Sequence, residues 1–95
     1  MTAYLIADIE VTDPAAYEGY RTAVGATIAA FGGRYLSRAG HTEVLEGGWQ
    51  PKRLVILEFP SLAQAQAWYR SPGYAPLLAL RKSASQSQLV ITEGL

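Results

Sequence analysis

Apolar and polar residues along this chain alternate between two regular periods. Residues 4–11 are apolar at nearly every position, Asp8 and Glu10 excepted, and the short run with its Ile6, Ile9 and Val11 predicts a strand. Tyr17, Tyr20, Val24, Ile28 and Phe31 then recur at spacings of three and four, which is one face of a helix. Asp13 can cap that helix, Pro14 suits its first position, and Gly32-Gly33 ends it by accepting a left-handed conformation. Residues 34–39 predict a second, more polar strand. Three glycines between residues 40 and 51 predict a hairpin connection with an excursion, in which residues 42–46 can extend briefly. Residues 53–59 predict a buried strand ended by Pro60. Ser61 and Gln64 fit a capping box for a helix through Ala65, Trp68 and Tyr69, which Ser71-Pro72-Gly73 interrupts. Residues 74 to about 83 predict a further helical turn or two, residues 83–87 a polar connector, and residues 88–93 the last strand.

The order is βαββαβ. In the ferredoxin-like arrangement of that order the first and third strands lie side by side at the centre. Right-handed crossovers then put both helices on one face of a four-stranded antiparallel sheet, an α+β fold. Leu5, Ala7, Ile9 and Val11, with Val55, Leu57 and Phe59, give those strands one wholly apolar face for the helices. Tyr4, Ile6, Asp8, Glu10, Leu54, Ile56 and Glu58 lie on the opposite face. A sheet facing water alternates cleanly, and this one does not. Tyr4, Ile6, Leu54 and Ile56 would leave an apolar patch without a second layer, so the expected partner is a second copy packed on the open sheet face. Such a homodimer would bury about 1,600 Å² or more.

Composition narrows the partners. A chain of 95 residues makes one domain, residues 1–95, with eight basic residues balanced by eight acidic ones. No basic stripe points to nucleic acid, and no apolar run approaches the ~20 residues of a membrane helix. Cysteine is absent, which excludes disulfides, thiol catalysis and thiolate metal sites. No basic segment followed by an apolar core begins the chain, so the expected location is cytoplasmic.

Glu58 is the sharpest polarity conflict, a carboxylate on a largely apolar face. Desolvation would raise its pKa and make it a general acid or base; the alternative is an ion pair with an arginine at the rim. Asp8 shares that face at the far end, where an ion pair with Arg38 is expected. The second strand alternates too poorly to assign Arg38 to a face. His41, the single histidine, lies in the glycine-rich excursion and could transfer protons or simply be solvated. Trp49, Tyr69 and Tyr74 are candidates for the walls of a ligand pocket, whereas Trp68 belongs to the core. Arg81 could hold an anionic group or cap a helix end.

Gly32-Gly33-Arg34-Tyr35-Leu36, Val44-Leu45-Glu46-Gly47 with Trp49 and Pro51, Glu58-Phe59-Pro60-Ser61, Ala67-Trp68-Tyr69 and Ser71-Pro72-Gly73-Tyr74 together resemble the family called domain of unknown function 1330. The resemblance runs from Tyr4 to Gly94. It implies a dimeric α/β-barrel of the ferredoxin-like superfamily, whose members include cofactor-free monooxygenases, muconolactone-isomerase-like enzymes and haem-dependent proteins. The family's motif positions fall on Glu46, Gly47, Trp49, Arg53, Glu58, Trp68, Tyr69, Ser71, Tyr74 and Arg81. Gly73 stands where the motif commonly has an acidic or polar residue, which loosens that corner.

Two functions follow as expectations. One is a small enzyme with no cofactor or metal, isomerase- or monooxygenase-like, working on a small organic compound between sheet and helices. Glu58 would be its acid or base, and Arg81 or Arg38 would hold an anionic group. The other is a dimer that binds a small ligand without turnover, in a regulatory role. Haem binding is a weaker third, since the loop context of His41 does not suit an axial ligand.

Overall fold

The computed structural model describes all residues, Met1–Leu95. Its elements are β1 (Ala3–Val11), α1 (Pro14–Ala30), β2 (Arg34–Arg38), β3 (Leu54–Phe59), α2 (Leu62–Tyr69), α3 (Ala75–Ala84) and β4 (Ser85–Glu93). The strands form one antiparallel sheet in the order β2-β3-β1-β4, the ferredoxin-like topology, with all three helices on one face. No helix is long and apolar enough to cross a membrane.

Local chemistry sets the element ends. Asp13 caps α1, its side chain accepting from the Ala16 N–H at 3.2 Å, with Pro14 at the first helical position. Gly32 carries the positive φ of 77° that stops the helix, and Gly33 follows where no side chain fits: a Cβ there would stand 2.6 Å from Phe59 Cε1. Only half of the expected capping box forms. The Ser61 hydroxyl accepts from the Gln64 N–H at 3.1 Å, but the Gln64 amide reaches across to the Phe31 carbonyl at 3.2 Å, tying α2 to the end of α1.

Two boundaries differ from those expected. Residues 83–87 are not a connector: β4 begins at Ser85 directly after α3, and Val11 pairs with Ser85. The N–H groups of Thr12 and Asp13 both donate to the Ala84 carbonyl, at 2.9 and 3.0 Å, and fix that junction. β4 is an edge strand, where ladder hydrogen bonds suffice: Gln86 and Gln88 stay exposed, and the buried Ser85 hydroxyl donates to the Arg81 carbonyl at 2.6 Å. The excursion after β2 holds no extended piece at residues 42–46. The chain leaves β2 through Ala39 at φ 57°, a left-handed conformation uncommon for a non-glycine residue.

The core lies between helices and sheet as the alternation requires. Leu5, Ala7, Ile9, Val55, Leu57 and Phe59 are buried against Tyr17, Tyr20, Val24 and Ile28 of α1 and Trp68 of α2. Trp68 is the central piece, with rings of Phe59 and Tyr74 on either side at 5.6 and 4.1 Å between centroids. Its indole N–H donates to Thr27 Oγ1 at 3.0 Å, and Thr27 in turn donates to the Val24 carbonyl at 2.7 Å.

In β2 the register slips by one residue: Tyr35 opposes Leu57, Ser37 opposes Ile56 and Arg38 opposes Val55, leaving Leu36 unpaired in a bulge. Tyr35 and Arg38 therefore share the helix side of the sheet with Leu57 and Val55. On the open face Tyr4, Ile6, Leu54 and Ile56 are half-buried within the protomer and Val90 is exposed.

Candidate functional site

Under α1 the small side chain of Ala7 leaves space between helix and sheet, a cavity of about 30 Å³ also walled by Val55, Leu57 and Trp68. Its inner wall is polar. Tyr20 and Tyr74 place their hydroxyls 2.8 Å apart, and Arg81 Nε donates to the Tyr74 hydroxyl over a long 3.4 Å. The break after α2 aims Tyr74 inward: Ser71 Oγ donates to the Trp68 carbonyl at 2.8 Å and accepts the Tyr74 N–H at 3.2 Å. Arg81 is 3% exposed, lines the cavity and makes no ion pair with a carboxylate. Burial pushes the Tyr20 phenol well above its usual range, and the adjacent Tyr74 pushes it further. Tyr20 therefore stays protonated, a hydrogen-bond donor rather than a base.

The outer end is cationic and aromatic. The Arg53 guanidinium lies 5.7 Å from the centre of the Tyr17 ring, and that of Arg38 lies 4.8 Å from the centre of Tyr35. Burial raises the Tyr35 phenol, opposed by the nearby Arg38 guanidinium. Arg53 Nε is buried with no hydrogen-bond partner. Arg21 also lines the cavity, but Glu18 pairs with it at 2.7 Å. No carboxylate and no imidazole lines this space. What the arrangement can do is donate hydrogen bonds and positive charge to an oxygen that carries or develops negative charge.

Of the residues singled out in the sequence, Arg38 and Arg81 line the cavity and Tyr74 stands directly behind Arg81. Tyr69 packs on Tyr74 with ring centres 5.9 Å apart and lines a neighbouring groove between α2 and β4. The others lie elsewhere. Glu58 is on the open face and accepts from Arg34 Nε at 2.8 Å. The sheet itself separates it from a helix-side pocket, which corrects its assignment as acid or base there. His41 is an exposed residue of the excursion, its Nε2 3.3 Å from Glu43 Oε1. Trp49 also belongs to the open face. The expected Asp8–Arg38 ion pair is absent, because the bulge puts Arg38 on the other side of the sheet. No group of three or more His, Asp or Glu side chains is placed to hold a metal ion.

Tyr17, Tyr20 and Tyr35 were not among the expected site residues, and Arg53 was marked only as a motif position of the resembled family. A further signal existed for two of the tyrosines. Tyr17 and Tyr20 sit on the apolar stripe of α1, and a phenol turned inward needs a partner for its hydroxyl.

Asp8 has a different task. Its carboxylate accepts from Trp49 Nε1 at 2.9 Å and from the Lys52 N–H at 2.9 Å, pinning the excursion to β1. The Trp49 hydrogen bond holds the Asp8 carboxyl below its usual range, against the opposing effect of partial burial and with help from the N–H groups of Lys52 and Arg53. A carboxyl lowered in the fold stabilises it fully above the unfolded pKa of about 4 and loses that contribution as pH falls through the folded value. Trp49 is expected to become more open to acrylamide quenching in Asp8→Ala at pH 7, and in the wild type only on acidification below about pH 4. Trp68, 1% exposed, contributes little to such quenching. Equal quenching of the two proteins at pH 7 would rule out the tether.

The domain of unknown function (DUF1330) family matches residues 2–95. No curated protein matches the sequence significantly. Among solved structures, a protein of unknown function from Rhodopseudomonas palustris superposes with a TM-score of 0.81 at 20% identity, covering 99% of this chain and 82% of that one. SnoaB from Streptomyces nogalater, described as a cofactor-independent oxygenase, gives 0.63 at 18% identity over 99% and 93%. A dimeric ferredoxin-like protein of unknown function from Thermobifida fusca gives 0.67 at 19% identity over 99% and 92%. At these identities the likeness is one of fold.

Proposed function

This chain belongs to the DUF1330 family, and from that premise we propose that it is a homodimer whose protomers each bind a small organic compound in the cavity between sheet and helices and turn it over without a cofactor. The observation that carries the reading is the buried Tyr20–Tyr74–Arg81 chain opening on that cavity. A guanidinium kept 3% exposed beside two phenols is costly for a fold and useful for a site. Arg81 and Tyr20 donate toward an oxygen on which negative charge gathers, as in an enolate, and the surrounding apolar side chains exclude water and strengthen that attraction.

The dimer reading rests on the open sheet face, where Ile6, Ile56, Leu54 and Val90 form an apolar surface with no second layer. The fold is one that a dimeric neighbour shares. Catalysis without a cofactor is supported by the same kind of kinship with SnoaB and by the anion-stabilising wall. A second reading, binding without turnover, is favoured by one observation: the cavity has no base. Substrates for the first reading are therefore compounds that ionise readily by themselves, such as acidic phenols and 1,3-dicarbonyl compounds.

Thermal shift with a panel of such compounds, followed by product analysis of the hits in air and under nitrogen, separates the readings. Hits are expected whose stabilisation is lost in Tyr74→Phe, which removes the hydroxyl between Arg81 and Tyr20. A product formed by the wild type and not by Tyr74→Phe supports the enzyme. Binding with no product under either atmosphere supports the second reading. Hits indifferent to Tyr74→Phe would remove the cavity from both.

A further inference from the structure

We propose that the cavity is a receptor for the carboxylate group of a small organic acid, gripped by Arg53 and Arg38 with Arg81 behind. This deepens the small-molecule reading above and rests on it. Four guanidinium groups line the cavity and no acidic side chain does. Glu18 neutralises Arg21, which leaves Arg38, Arg53 and Arg81 without carboxylate partners around one small space. The chain as a whole has eight basic and eight acidic residues, so this concentration comes from placement and not from composition.

The second observation is the orphaned Arg53 Nε. A buried donor on a charged group left without an acceptor is costly, and folded chains seldom tolerate one unless something else supplies the acceptor. The guanidinium presents its N–H groups as a planar fork that matches the two oxygens of a carboxylate. Size agrees with the head group alone. About 30 Å³ is space for two or three heavy atoms, given that one water needs roughly 10–15 Å³ by the same measure. The organic body then points outward past the exposed Arg38 side chain, along the rings of Tyr17 and Tyr35. Phosphate is disfavoured, since its five heavy atoms exceed the two or three that about 30 Å³ holds.

Calorimetric titration with acetate, benzoate and hexanoate, each beside its neutral amide, tests the assignment, with inorganic phosphate as a further probe. At least one acid is expected to bind ten times or more tightly than its amide. Arg53→Met, which keeps the apolar stem, is expected to weaken that acid about tenfold or more, and Lys82→Met, which removes an exposed charge away from the cavity, to leave it unchanged. An amide binding as tightly as its acid overturns the proposal while leaving a small-molecule site standing. Phosphate binding as tightly as the best acid, equal losses in the Arg53 and Lys82 variants, or no binding by any probe also overturn it.

Discussion

Trp68→Ala is expected to destabilise the protein by about 3–5 kcal/mol, the range for removing a fully buried tryptophan. That is a large share of the ~5–15 kcal/mol that holds a domain together. For a chain of this size it corresponds to a fall in Tm of more than ~10 °C. Two losses combine: the indole fills the space between Phe59 and Tyr74, and its N–H is the hydrogen-bond partner of Thr27. The Trp68 backbone carbonyl, which receives the Ser71 hydroxyl and shapes the turn after α2, remains in the variant. The last bond survives the substitution only if the turn keeps its path, so Tyr74 and the Tyr20 pair should loosen with it. Urea unfolding at unchanged m reads the stability directly. A loss under ~1 kcal/mol would mean that the helical layer is anchored elsewhere.

Ile56→Asp is expected to convert the proposed dimer to a monomer. Ile56 lies on the open face of a central strand, opposite Ile6 and beside Ser37. Within one protomer an aspartate there meets water and does little. Across two packed sheets the same carboxylate is desolvated in an apolar layer, at least a ~30-fold weakening of association on the scale of interface hot spots. Light scattering on the eluting protein gives the mass, and the thermal midpoint of the wild type, unlike that of the variant, should rise with protein concentration. An Ile56→Asp protein that still elutes as the wild type does would place any interface on another surface.

The sequence carried the fold because two periods of apolar residues were undisturbed. Tyr17 to Ile28 at three and four, and Leu5, Ala7 and Ile9 against Val55, Leu57 and Phe59 at two, fix helix, sheet and the buried side together. The apolar residues of the opposite face were equally plain. The site was less legible, for reasons of geometry. Glu58 stood out as a charge among apolar residues, but its partner Arg34 belongs to a strand 24 residues earlier in the chain, and only the strand register reveals the pair. Arg53 looked like the polar start of a strand; that its Nε is enclosed beside Tyr17 depends on how α1 crosses the sheet. Arg81 was named for an anion and found buried, yet its phenolic neighbour Tyr20 is 61 residues away in the chain. Residues 83–87 misled in a simpler way. Serine and glutamine look like a loop wherever side chains decide, and an edge strand is decided by its backbone.

The unpaired Leu36 in β2 has a consequence for how two surfaces stay distinct. With strict alternation, Arg38 would have the parity of Arg34, its guanidinium would project among Ile56 and Leu54, and Tyr35 alone would remain at the cavity mouth. One surplus residue reverses this. It hands a positive charge from the open sheet face, proposed for a second copy, to the helix side, proposed for a ligand. Deleting Leu36 would take out the surplus residue yet keep Ser37 opposite Ile56 and Arg38 opposite Val55, so it would straighten β2 without moving the charge back between the faces.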